Sequence, residues 1–182
     1  MKWMSASGLR LENQAPFGKC CAMSGFTLRS FAATDADWLA EQHGQLYARD
    51  EGFDDTFAPL VAGILADFLA GHDPMREHGW IVEQDGQRLG SIFCVSAGGQ
   101  SAKLRLFLLT PEARGKGLGK RLLRTCMGFA RDAGYCDMQL WTHASHKAAC
   151  ALYAASGWQL VDSKPVHSFG VDLIEQTWTI TL

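Results

Sequence analysis

The stretch LLTPEARGKGLGKRLLR, from Leu108 to Arg124, decides how this chain is read. It opens as the end of an apolar strand, passes Thr110-Pro111, enters a loop carrying Gly115, Gly117 and Gly119, and continues as a helix from about Gly117. A helix start presents unpaired N–H groups and partial positive charge, and glycines there let an anion approach the backbone closely. Five of the chain's 17 basic residues (Arg114, Lys116, Lys120, Arg121 and Arg124) crowd into this end of the helix, where the dipole favours acids. Glu112 is the only acid nearby. The self-repulsion is explained by a bound polyanion, and phosphate is the obvious candidate. A plainer reading, a tight turn with a solvated basic face, accounts for the glycines but not for the charges.

Spacing narrows the ligand. The dinucleotide pattern GxGxxG fails because Lys120 stands where the third glycine is needed, and the nucleotide loop GxxxxGK[ST] occurs nowhere. Hydrolase signatures such as GxSxG and HExxH are absent too. His143 and His146 with Cys136 and Cys150 do not have the ligand spacing of a metal site.

Working outward from the loop, the elements follow in a clear order. Upstream, FTLRSF alternates as a strand from Phe26, and Thr34-Asp35 offers a helix start before a helix through about Arg49. The polar break Asp50 to Asp55 leads to a second helix, with Phe57, Leu60, Val61, Ile64, Leu65, Phe68 and Leu69 on one side. Trp80 to Gln84, Arg88 to Ser96 and Lys103 to Leu109 read as three antiparallel strands joined at Asp85-Gly86 and Gly98-Gly99. Downstream of the Gly117 helix come a strand at Met138 to Thr142, a short helix at Lys147 to Ala155, and two closing strands, Trp158 to Ser163 and Gln176 to Leu182. The order β-α-α-β-β-β-α-β-α-β-β, with strands on both sides of the Gly117 helix, predicts an α/β fold with a mixed sheet and helices on both faces. Residues 1–25 show no period and read as a leader or tail, with Met23 as an alternative start; residues 26–182 form one domain.

The overall balance fits such a domain. Seventeen Lys and Arg against 19 Asp and Glu leave a net charge of −2, which gives no field for nucleic acid or an acidic membrane. Six cysteines without CxxC spacing, four of them within predicted strands and helices, suit a reducing cytoplasm. No apolar run is long enough for a signal peptide core or a membrane span.

The segment Arg114-Gly115-Lys116-Gly117-Leu118-Gly119 resembles the [RQ]xxGx[GA] pyrophosphate loop of the GNAT N-acetyltransferase superfamily. His146 to Trp158 resembles that family's NxxAxxxYxxxGF stretch, with Ala149, Tyr153, Gly157 and Trp158 in place and His146 where Asn is usual. His43 to Asp54 and His167 to Trp178 look like a narrower subset, acetyltransferase domains fused behind MarR-type regulators, for which 25 leading residues leave no room. The resemblance implies acetyl-CoA as cosubstrate. Leu106, Phe107, Leu108 and Leu109 would then face its pantetheine arm, and Arg114, Gly115, Lys116, Gly117, Leu118, Gly119 and Lys120 its pyrophosphate, with His146 touching the cofactor in place of Asn. It also implies Tyr153 as general acid and a small-molecule or peptide amine as acceptor, with a homodimer left open.

Acyl transfer to an amine requires the acceptor to lose a proton. Asp50, Glu51, Asp54 and Asp55 between the first two helices are candidate bases, with His167 as an outsider and Glu51 favoured; each also reads as a cap or a solvated loop charge. Tyr153 alone also reads as a core aromatic. A CoA-binding sensor without catalysis is the competing function.

Overall fold

The computed structural model describes residues 25–182, so the readings of the leader and of Met23 lie outside the described residues. The elements are β1 (Thr27–Ser30), α1 (Ala36–Glu51), α2 (Phe57–Gly71), β2 (His78–Gln84), β3 (Gln87–Gly98), β4 (Ser101–Leu109), α3 (Leu118–Asp132), β5 (Asp137–His143), α4 (Lys147–Ala155), β6 (Gln159–Ser168) and β7 (Val171–Thr181). They form one seven-stranded sheet in the order β1-β2-β3-β4-β5-β7-β6. Among the described residues, only β4 and β5 run parallel, because α3 carries the chain between them as a crossover.

Two apolar layers close the sheet. On one face the α3 stripe of Leu118, Leu122, Leu123, Cys126 and Phe129 buries against Val82, Ile92, Cys94, Leu104, Met138 and Leu140, with Tyr153, Trp158 and Trp178 beside them. On the other, Leu39 and Leu46 of α1 and Val61 and Leu65 of α2 pack on Ile81, Phe93 and Leu108. The wide apolar face expected of α2 is only partly used: Leu60 is 44% and Leu69 39% exposed, because a single stripe of the helix meets its neighbours. Cys136 likewise is not a core residue; it is exposed just before β5, while Cys94 and Cys126 are buried.

A buried charge pins the first helix to the sheet. Asp35 is fully buried and accepts hydrogen bonds from Arg29 (2.6 and 2.8 Å), from Arg88 (2.7 Å) and from the Ala32 N–H (2.9 Å). It stands at the start of α1 as expected, but its carboxylate serves two arginines on the sheet rather than the helix amides. The closing strands are longer than their sequence pattern: β6 and β7 form a hairpin turned at Phe169-Gly170, both with positive φ as a two-residue turn of primed type needs. Pro165 is tolerated because β6 is the sheet edge.

Candidate active site

The site begins where two neighbouring strands stop pairing. β4 and β5 are in register from Ser101 with Asp137 to Leu104 with Leu140, and beyond that point both strands continue without a ladder between them. The cause lies in β4: Leu106 adopts φ +48, and the β3 register shifts between Phe93–Arg105 and Ser91–Leu108. A leucine in the left-handed region costs on the order of 1 kcal/mol or more, so the bulge must be held by its surroundings. Ser91, fully buried, donates its hydroxyl to the Leu106 carbonyl at 2.6 Å and clamps it. Among the described residues, the β4 backbone groups from residue 105 to 109 on the β5 side have no strand opposite, an edge that accepts an extended polar chain.

The strand then runs into the glycine loop. Gly115 and Gly117 have φ +74 and +75, and a Cβ added to either meets no atom within 4 Å. Glycine is needed here for the backbone conformation and for access, not for packing. Gly117 is the residue before α3, and the Arg121 N–H is bonded to its carbonyl. Helix geometry leaves the amides of Leu118, Gly119 and Lys120 without helical acceptors and pointing out of the helix end. These are donors for an anion, backed by the dipole.

Splay and loop open into one cleft of about 600 Å³. Phe107, Leu108 and Leu109 form one wall, Arg114, Gly115, Gly117, Leu118, Gly119 and Lys120 another, and Ser145, His146, Ala149 and Leu152 from the α4 side a third. The end of α1 supplies Leu46, Tyr47, Asp50 and Glu51. Eleven of the fourteen candidate site residues therefore share this space; Leu106, Lys116 and Tyr153 do not line it. The Leu106 side chain lines a separate, smaller cavity under α2. Lys116 reaches over the ring of Phe26, 5.4 Å from its centre. Tyr153 is 4% exposed, set among Phe107, Trp158 and Trp178 with ring centres 5.9–6.3 Å away. Burial pushes its hydroxyl well above the ordinary phenol value, so it keeps its proton.

The candidate bases separate by geometry. Asp54 accepts from the Thr56 N–H at 3.0 Å and so organises the start of α2, and His167 pairs with Asp172 at 2.7 Å on the exposed hairpin. Asp50 is held by Arg49 at 2.6 and 2.9 Å and faces Arg114 at 3.6 Å. Glu51 is left. It ends α1, where Gly52 (φ +76) closes the helix with N–H bonds back to Ala48 and from Phe53 to Tyr47. A carboxylate at a helix C-terminus opposes the dipole, by roughly 0.3–1 kcal/mol, which calls for a compensating partner. That partner is His146, whose Nε2 lies 3.3 Å from Glu51 Oε1, with both side chains largely buried. Burial lowers the His146 pKa, more than the Glu51 charge raises it, so the ring stands neutral at pH 7 beside the carboxylate.

Two features escaped the sequence reading. The Leu106 bulge has no glycine or proline to mark it. Tyr47 packs its ring on His146 at 5.0 Å, and burial, then the Glu51 charge, push its hydroxyl up to about 12. Its position four residues before Glu51, on the same helix face, is the signal that could have found it. Among the described residues, no group of three or more His, Cys, Asp or Glu side chains is arranged to hold a metal ion, and no helix is long and apolar enough to cross a membrane.

The chain resembles known proteins in sequence and in fold. The model of the acetyltransferase (GNAT) family matches residues 34–158. N-acetyltransferase 8 of Mus musculus is 32% identical over 122 residues, 64% of this chain and 51% of that protein, and its Rattus norvegicus counterpart is 33% identical over 106 residues, 56% and 45%. The chain thus spans about half the length of these curated relatives. Among solved structures, a phosphinothricin acetyltransferase of Sinorhizobium meliloti in complex with acetyl-CoA superposes with a TM-score of 0.70 at 21% identity, covering 87% of this chain and 89% of that one. Spermidine N-acetyltransferase of Vibrio cholerae, in complex with CoA and spermine, gives 0.67 at 17% identity, covering 87% and 96%.

Proposed function

We propose, from the premise that this chain belongs to the acetyltransferase (GNAT) family, that it moves an acetyl group from acetyl-CoA to a primary amine by direct attack. The observation that carries the reading is a single cleft in which an anion-binding helix start, an unpaired strand edge and a carboxylate–imidazole pair converge. The amides of Leu118, Gly119 and Lys120, with the Arg114 and Lys120 side chains, hold the pyrophosphate. The open edge of β4 receives the amide-rich pantetheine arm in strand fashion, which directs the thioester toward the bulge at Leu106. The structures cited above with acetyl-CoA or CoA share this fold.

Glu51 removes the proton that an alkylammonium, with a pKa near 10, must lose before it can attack. His146 stands beside that carboxylate with Nε2 at 3.3 Å and its ring neutral. When the tetrahedral intermediate collapses, the thiolate of CoA leaves, and Tyr153 donates toward it. A phenol that burial has made this weak an acid acts as a hydrogen-bond donor, surrendering its proton only as charge builds on the sulfur. The acceptor is not set by the fold, since the neighbours named for spermidine and for phosphinothricin differ in it. The likeness of His43 to Asp54 and His167 to Trp178 to domains fused with MarR-type regulators belongs to the same proposal, as does cytoplasmic residence.

One observation favours the competing reading, a CoA-binding sensor: Tyr153 is packed in the core instead of lining the cleft. Release of free thiol from acetyl-CoA in the presence of a panel of amines decides between them. Amine-dependent release that falls at least tenfold in Glu51→Gln supports acetyl transfer; binding of acetyl-CoA with no release for any amine supports the sensor.

A further inference from the structure

The face of β4 that looks away from α3 carries two cations in an unusual position. Ala102 and Leu104 bury in the α3 core, so strand alternation puts Lys103 and Arg105 on the other face, two residues and about 7 Å apart, immediately before the Leu106 bulge. Both are half-buried. Arg105 and Leu106 line a cavity of about 290 Å³ under α2, and the acetyl-transfer cleft begins at the next residue, Phe107. Across the strand boundary the same face continues through Gln139, paired with Lys103, to Trp141, which is 47% exposed.

Neither cation has a carboxylate within ion-pair distance among the described residues. Asp67 and Glu77 line the same cavity as Arg105 but make no ion pair with it: Glu77 accepts from the Ser96 and Asp73 N–H groups and Asp67 is exposed, while Glu175 pairs with Lys164. Burial and the neighbouring Arg105 charge both lower the Lys103 pKa, the mark of positive charge without its counter-ion. An anionic ligand relieves that cost. Side chains at alternate positions of an extended peptide repeat at the same 7 Å spacing, and an exposed tryptophan offers apolar cover to the chain beyond.

Resting on the acetyl-transfer reading of the adjoining cleft, we propose that the acceptor is a peptide with a free N-terminal amine and acidic side chains at alternate positions behind it, bound along this face with Arg105 and Lys103 as its anion contacts. The amine sits at the Leu106 bulge, the first acid meets Arg105 and the second meets Lys103.

The test uses three otherwise identical peptides with Glu, Ala or Arg at positions 2 and 4, and free glutamate as a fourth acceptor, with thiol release from acetyl-CoA as the readout. The Glu peptide is expected to exceed the Arg peptide in kcat/KM by about tenfold or more, with the margin shrinking as salt rises. The double variant Lys103→Glu/Arg105→Glu should invert the order, and if it does not fold, Lys103→Gln/Arg105→Gln should abolish the preference. Equal rates on all three peptides, a preference untouched by these variants, or free glutamate outperforming the Glu peptide overturns the proposal. Acetyl-CoA affinity measured on the same wild-type sample separates the two levels: failure to bind it refutes the cleft assignment, whereas normal binding with indifferent peptides refutes only the acidic acceptor.

Discussion

Substituting Gly117 separates anion binding from backbone strain, because the two have different magnitudes here. The residue sits at φ +75 with open space where a Cβ would be, so alanine introduces no clash and only the left-handed penalty of about 1 kcal/mol. Glutamate bears the same penalty, and Gly117→Ala and Gly117→Glu should therefore lose a similar few degrees of Tm. They part company with acetyl-CoA. A carboxylate about 5–6 Å from each pyrophosphate charge is repelled by roughly 0.8–3 kcal/mol per charge for effective dielectric constants between 80 and 20. Two such charges give about 1.5–6 kcal/mol, a loss of affinity of at least about tenfold beyond that of the alanine variant. Titration calorimetry on both proteins, each checked by circular dichroism, reads the difference directly. It should narrow at high salt, since the site opens to solvent. Folded Ala and Glu variants that bind acetyl-CoA as tightly as each other would refute the placement of the pyrophosphate at this helix start.

Three more expectations follow from buried groups. Tyr153→Phe should lower kcat about 10- to 100-fold with acetyl-CoA affinity within a few-fold, because only a hydroxyl is lost from a packed ring and the leaving thiol's proton deficit is worth roughly 2 kcal/mol; unchanged kcat with chemistry rate-limiting would make it a core aromatic. His43 is buried, with its Nδ1 bonded to the Leu39 carbonyl at 2.9 Å, and burial lowers its pKa to about 4. A depressed histidine contributes stability that is complete above its unfolded value near 6.5 and is lost as pH falls toward 4, by about 3 kcal/mol in total, so urea midpoints should drop across that window and His43→Leu should flatten the drop. Burial alone would raise the Asp35 pKa, but the hydrogen bonds from Arg29, Ala32 and Arg88 bring it below the usual value; its contribution is present above about pH 3.9 and lost in stronger acid. Asp35→Asn should cost about 3–5 kcal/mol and on the order of 10 °C in Tm, by leaving two guanidiniums around a neutral group, and a shift under 2 °C would contradict the pinning role.

What could be read beforehand, and what could not, has a physical division. The α3 helix and its loop were legible because amphipathic spacing, glycines and misplaced basic charge all point the same way. The extent of the β6–β7 hairpin was not, because Pro165 and the polar edge pattern hide a strand whose only requirement is backbone pairing on one side. The Leu106 bulge was invisible for a related reason: a leucine forced to positive φ by its strand partners leaves no trace in residue type. Glu51 was favoured over Asp50, Asp54 and Asp55 from the sequence, but its neighbour His146, ninety-five positions along the chain, could not be foreseen before the fold brought them together. The exposed side of α2 was misread because an all-apolar helix does not reveal which stripe its neighbours will cover.

The most direct test of the central claim is a single-turnover experiment with enzyme in excess over acetyl-CoA carrying an isotopically labelled acetyl group, in the presence of each amine of the panel in turn. The account predicts that the label appears on the amine, detected by mass spectrometry, with one free thiol formed for each acetyl group transferred, and that Gly117→Glu and Glu51→Gln both suppress the product. Acetyl-CoA recovered intact from an enzyme shown to bind it, with every amine in the panel unmodified, would contradict acetyl transfer at this cleft.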